Sequence, residues 1–206
     1  VDSLTAGLLA QSAVRRLRQG GYDGEFVAVR LPHGAQADEH HAQLALDVIG
    51  PDRTMVINVR PATDAIWREM KSAGVDPAAA SDRDALLGNV KARQRMVAQF
   101  AIAGSLGGLV VGTDHAAEAV MGFFTKFGDG AADLLPLAGL NKRRVRAIAS
   151  QLGAPPELVD KVPTADLDDG MPMRPDEDVY GVTYVQIDDY LEGKPVDRSA
   201  AAIIVR

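Results

Sequence analysis

Short apolar, β-branched runs alternate along the chain with longer stretches whose apolar side chains recur at helical spacing. Asp2 and Ser3 suit the start of a helix that sends Leu4, Leu8 and Val14 toward a core and stops at Gly20-Gly21. Residues 25–31 read as a strand, 37–49 as a helix and 53–59 as a second strand. A long helix is expected over about 83–104 and a third strand over 109–112. Further helices are expected at 114–121 and 141–152. Buried strands separated by helices predict a parallel sheet covered on both faces, with ligands at the carboxyl ends of its strands. The segment 162–180 breaks the pattern with three prolines and many carboxylates, and reads as a long loop that is either a lid or disordered.

The long helix carries a charge where the pattern is apolar. Leu86, Val90, Val97, Phe100 and Gly104 lie within roughly 40° of one direction, and Arg93 falls among them. One reading has Arg93 snorkel or pair with a carboxylate. The other packs this helix at a subunit interface, with Arg93 reaching an anionic ligand.

Chemistry concentrates after the third strand. Thr113 stands at the strand's carboxyl end, and Asp114 and Glu118 share a helix face at i,i+4. Two carboxylates beside a phosphate site repel that ligand unless a cation intervenes, and Mg²⁺ suits carboxylates plus phosphate oxygens. The alternative makes Asp114 an N-cap and Glu118 a solvated charge. Residues 123–133 set Lys126 among aromatics, followed by Asp129 and Asp133 around glycines, which suits a flat ring or a plain surface turn. Residues 141–144 begin a helix with three cations, where the helix dipole prefers anions. A phosphate among them, or a solvated basic face, accounts for that equally. His33, His40, His41 and His115 form no convincing metal set and read as structural.

Composition narrows the function classes. A length of 206 residues favours one core, and 47% hydrophobic with 24% charged residues is an ordinary globular balance. A net charge of −6 argues against non-specific nucleic-acid binding. No apolar run approaches the roughly 20 residues that span a bilayer, and no signal segment stands at the start, so no membrane partner and a cytoplasmic location are expected. The absence of cysteine removes disulfides, thiolate metal sites and a cysteine-dependent glutaminase. Any nitrogen transferred is then free ammonia or comes from another polypeptide.

Six collinear stretches resemble the ammonia-dependent NAD synthetases of the N-type ATP pyrophosphatase group: 29–39 (VRLPHGAQADE), 88–96 (GNVKARQRM), 110–133, 140–143 (LNKR), 163–167 (PTADL) and 181–194 (GVTYVQIDDYLEGK). GTDHAAEA followed by GFFTKFGDGAAD is long and chemically unusual, which makes the resemblance specific. It implies a three-layer doubly wound parallel α/β sheet of adenine nucleotide hydrolase-like type, forming a single catalytic domain over 1–206. It also implies ATP-dependent amidation of deamido-NAD by ammonia through an acyl-adenylate, giving NAD, AMP and pyrophosphate. Asp2 and Glu118 would hold Mg²⁺. Asp2, Ser3, Arg30, Gln36, Thr113, Lys142 and Thr164 would contact ATP. Arg93, Lys126 and Asp133 would contact deamido-NAD, with Arg93 and its helix at a homodimer interface, and Asp129 and Lys142 would be catalytic groups. The family's phosphate loop reads Ser-Gly-Gly-x-Asp-Ser, so this sequence, opening Val1-Asp2-Ser3, is expected to lack its Ser-Gly-Gly, the preceding strand and the basic C-terminal tail. A chain truly starting there should bind ATP poorly. The rival readings are the amidation domain of a glutamine-dependent NAD synthetase, a related ATP pyrophosphatase with another acceptor, and a silent nucleotide-binding module.

Overall fold

A computed structural model describes residues 1–36, 38–76, 83–164 and 174–205. Helix α1 (Asp2–Gln19) leads to strand β1 (Val27–Arg30), helix α2 (Glu39–Ile49) and strand β2 (Arg53–Val56). The two strands pair in parallel with Val27 opposite Arg53 and Arg30 opposite Val56, so α2 is the crossover of a βαβ unit. Then come α3 (Arg60–Ser72), α4 (Arg83–Leu106), α5 (Ala116–Met121), α6 (Lys142–Gln151), α7 (Pro156–Val159), α8 (Asp176–Tyr180), α9 (Tyr184–Leu191) and α10 (Arg198–Ile204).

The expected three-layer doubly wound sheet is not what forms. Among the described residues the chain is mostly helical, with one sheet of two strands. The run at 109–112 has a strand's sequence but no ladder. Val111 makes a single parallel bridge with Leu134, and the amides of Asp133 and Leu134 both donate to the Val110 carbonyl. With its backbone groups spent on a neighbouring loop, this segment adds no edge to β1 and β2. Gly112 permits the close approach: a Cβ there would stand 2.6 Å from the side chains of both Ala132 and Leu135. Nor is the sheet buried on both faces, since Val56 and Ile57 are exposed.

Three apolar clusters do the packing. Leu4, Ile49, Ala149, Leu158 and Val159 join α1, α2, α6 and α7. Ala6, Leu137 and Val145 tie α1 to α6 and the loop before it. Ala117, Tyr180, Val182, Tyr184, Ile187, Ala200 and Ile204 join α5 to the last three helices. The start of α1, the start of α5 and the start of α6 therefore converge where these clusters meet.

The apolar stripe of α4 faces outward. Its buried residues are Leu87, Gly88, Lys91 and Ala92, roughly half a turn from Leu86 and Val97, which are 42% and 52% exposed. Arg93 lies on that exposed side and its Nε donates to the Lys126 carbonyl at 3.2 Å. Of the segment 162–180, residues 165–173 lie outside the described residues. Its two arms meet in an antiparallel bridge between Thr164 and Pro175, and its end is α8. Among the described residues no helix is long and apolar enough to cross a membrane.

Candidate functional site

Four charged or titratable side chains from three helix starts meet in one place. Asp2 Oδ2 accepts from Lys142 Nζ at 2.7 Å. His115 Nε2 lies 3.5 Å from Asp2 Oδ1 and 3.4 Å from Glu118 Oε1. Lys142 Nζ is 3.2 Å from His115 Nε2. Lys142 and His115 are almost wholly buried, so these charges interact through a poor dielectric.

Local structure explains each placement. Neither Asp2 nor Ser3 caps α1: Asp2 is its first helical residue, and its carboxylate turns to Lys142. The N-cap of α5 is His115 and not Asp114. His115 Nδ1 accepts the Glu118 amide, and Glu118 Oε2 accepts the His115 amide, a reciprocal capping box. Glu118 is thus neither solvated nor on a helix face shared with Asp114. Asn141 caps α6 through the Arg144 amide, and the Asp188 carboxylate takes the amides of Lys142 and Arg143. The anion that the dipole of α6 prefers is supplied from α9. Arg143 turns outward to Asp189 and Glu192, while Lys142 turns in.

The electrostatics follow from burial and crowding. Burial, then the nearby Asp2 carboxylate, push the Glu118 carboxyl up to about 8. Burial, with Asp129 and Asp2 adding repulsion, raises Asp114 to about 6. Burial alone would raise Asp2, but the Lys142 contact outweighs it and holds Asp2 below the usual carboxylate range. Burial lowers the His115 imidazole to about 4, so the ring is neutral at pH 7. Its Nε2 faces the Asp2 and Glu118 carboxyl groups and the Lys142 ammonium together.

This arrangement fits a hard divalent cation. One ligand atom each from Asp2, His115 and Glu118 lie within 4.8 Å of one another. Asp2 Oδ1 is buried without a hydrogen-bond partner, and Glu118 Oε1 is left over from the capping box. These carboxylate oxygens are hard donors, the set that Mg²⁺ accepts.

A cavity of about 630 Å³ opens beside the cluster. Asp2, Ser3, Glu118, Asp129 and Thr164 line it, with Asn89, Lys161 and Asp176 among others. Lys142, Arg30, Gln36, Thr113, Arg93, Lys126 and Asp133 are not among its lining residues. Arg30 forms a two-pronged ion pair with Glu39. Lys126 is exposed, 5.1 Å from the Phe127 ring centroid. Asp133 Oδ2 accepts the Val110 amide at 2.7 Å, and Asp129 Oδ1 accepts the Thr125 amide at 2.9 Å. Lys161, which pairs with Asp38 at 2.6 Å, was not foreseen, and neither was Tyr184, whose ring centroid lies 4.6 Å from Lys142 Nζ. His115 was set aside with the other histidines. The signal for it was the spacing His-x-x-Glu, that of a capping box rather than of a metal motif. His40 and His41 face a common partner, Glu157 of α7, with Nε2 atoms 3.6 and 3.3 Å from its Oε1.

Paired carboxylates and a buried lysine beside an open cavity make a candidate active site. The family model for NAD synthase matches residues 1–203, and the chain belongs to that family. Its members are ATP-using ligases of NAD biosynthesis that form a C–N bond. An NH(3)-dependent NAD(+) synthetase from Burkholderia mallei is 58% identical over all of this chain and 72% of its own length. A crystal structure of NAD+ synthetase from Burkholderia pseudomallei matches with a TM-score of 0.84 at 56% identity, covering 100% of this chain and 74% of that one. The NMN synthetase of Francisella tularensis matches at 0.78 and 34% identity, over 98% and 79%.

Proposed function

We propose that the chain amidates deamido-NAD with ammonia at the expense of ATP, and that the cluster at Asp2, Glu118 and Lys142 is where the triphosphate is handled. The observation that carries this reading is the meeting of two carboxylates at the wall of one cavity, with a buried lysine paired to one of them from behind. A nicotinate carboxylate cannot be amidated directly, because oxide is a hopeless leaving group. Its oxygen attacks the α-phosphorus of ATP, pyrophosphate departs, and an acyl-adenylate results. Ammonia then adds to the carbonyl carbon, AMP leaves with the C–O bonding pair, and the extra proton is lost.

Within this reading Asp2 and Glu118 hold Mg²⁺, which when bound neutralises phosphate charge. Lys142, anchored through its amide by Asp188, stabilises the charge that develops on the departing pyrophosphate. Ser3 and Thr164, at the cavity wall, contact ATP, as do Arg30, Gln36 and Thr113. Asp129, also at the wall, orients ammonia or takes its proton. Arg93, Lys126 and Asp133 contact deamido-NAD. Arg93 and Lys126 stand together on the α4 side through the Arg93–Lys126 hydrogen bond. The outward apolar face of α4 meets a second copy of the chain, making a homodimer.

Pyrophosphate release from ATP, with deamido-NAD and ammonium omitted in turn, tests the proposal. Release should require deamido-NAD and precede ammonia. Release indifferent to deamido-NAD removes this acceptor, and preference for its mononucleotide counterpart moves the chain toward the NMN synthetase it resembles.

A further inference from the structure

We infer that Tyr184 is a positioning residue for the reaction, its ring face locating the Lys142 ammonium beside Asp2; this rests on the phosphate role given to Lys142 above. Both side chains are almost wholly buried, and they come from different helices, α9 and α6. The ammonium lies 4.6 Å from the ring centroid, within the range of a desolvated cation–π contact. Its other neighbours are Asp2 Oδ2 at 2.7 Å and His115 Nε2 at 3.2 Å. The ring therefore closes a side of the ammonium that neither of these covers, and it meets His115 edge-on at a centroid distance of 6.0 Å.

The ring is held more firmly than core packing requires. Its hydroxyl donates to Asp176 Oδ2 at 3.0 Å and lies 3.2 Å from the Tyr180 hydroxyl. The Tyr184 amide donates to Glu177 Oε1 at 2.8 Å, and Thr183 caps the helix that carries it. The same helix supplies Asp188, which accepts the Lys142 amide at 3.0 Å. One element thus fixes both the backbone and the charged end of Lys142.

An aromatic face does something here that a carboxylate would not. A second full negative charge beside Lys142 would lock the ammonium in an ion pair and repel the triphosphate. A ring attracts the cation weakly and without a lone pair to compete for its protons. Lys142 is placed without being locked into a second full ion pair.

The test is steady-state kinetics on the full chain with Tyr184→Phe and Tyr184→Leu. The leucine variant should lose about thirtyfold in kcat, the size expected for a desolvated cation–π contact, with KM for deamido-NAD unchanged. The phenylalanine variant should recover most of that kcat although it loses the Asp176 hydrogen bond. Equal kcat for the two variants overturns the inference. Should the leucine variant fail to fold, phenylalanine at 184 with increasing ring fluorination weakens the face at nearly constant shape. A stepwise fall in kcat supports the inference, and a flat series overturns it. Lys142→Met separates the two levels: full pyrophosphate release in that variant removes the phosphate role itself. Its loss alongside a flat fluorination series removes the Tyr184 role alone.

Discussion

The cluster around Lys142 and the outer face of α4 depart from the usual distribution of side chains in opposite directions. In the first, a lysine and a histidine are almost wholly buried against carboxylates. In the second, Leu86 and Val97 of α4 stand exposed, and further along the helix Ile102 and Leu106 meet Met55 and Ile57 around an apolar groove of about 400 Å³. Buried charge is costly unless paired, and exposed apolar surface is tolerated only in small patches. Each region is thus unsatisfactory for an isolated chain in its own way, and each is relieved by a different partner. The polar region calls for a charged ligand. Under the proposed function, the apolar one meets a second copy of the chain.

The largest effect expected is on the polar side. Lys142→Met should lower kcat/KM for ATP-driven pyrophosphate release by about 10²–10³-fold, the cost of losing one preorganised electrostatic group. It should leave self-association unchanged in sedimentation velocity. A loss of activity that tracks a change in self-association would merge the two regions into one and end the contrast.

On the apolar side, Leu86→Glu with Val97→Glu places two charges on the exposed α4 face. Sedimentation velocity should show dissociation weakened contacts of roughly tenfold or more in Kd, since charge buried in an interface is unpaired. A wild-type chain that sediments as a monomer at every concentration sinks the homodimer reading. A smaller effect is expected where the regions touch. Thr125 Oγ1 donates to Asn89 Oδ1 of α4 at 2.8 Å, and the Thr125 amide donates to Asp129. Asn89→Ala should cost about 1 kcal/mol in urea unfolding, the net worth of one such bond.

The same contrast explains how far the fold could be read from the chain. α1, α4 and α6 announce themselves by periodicity, and β1 and β2 by β-branched runs, all within a few residues of the observed bounds. The third strand failed because a strand is made by its ladder. The run 109–112 is apolar and β-branched, yet its pairing depends on Asp133 and Leu134, which no local pattern reveals. α7, α8, α9 and α10 run to eight residues or fewer and are set by caps such as Thr183 and Asp197, too short for a period to show. The stripe on α4 was visible, but periodicity reports only that a face is apolar and not whether this chain covers it. In the site, Asp2 and Glu118 are brought together by helix starts distant in sequence, so family resemblance pointed to the pair where spacing did not. His115 and Tyr184 carried no motif of their own.

The smallest effect lies away from both regions, where the end of α1 is tied to the sheet. Arg18 Nη1 donates to Asp52 Oδ1 at 2.8 Å, and the Phe26 amide donates to Asp52 Oδ2 at 2.8 Å. The Arg18 hydrogen bond first, then that amide, hold the Asp52 carboxyl down at about 2. Its folded value lies below its unfolded one, so the folded state binds fewer protons in this range. The stabilisation is therefore complete above the ordinary carboxylate range and is lost as pH falls toward 2. Asp52→Asn removes the titrating group. Wild type and variant should differ most near neutral pH and converge as the medium is acidified, in urea melts at fixed salt. Since the pair is solvent-exposed, added salt should shrink the difference at every pH. A gap that stays constant down to pH 2 would assign the effect to lost packing of the side chain rather than to its charge.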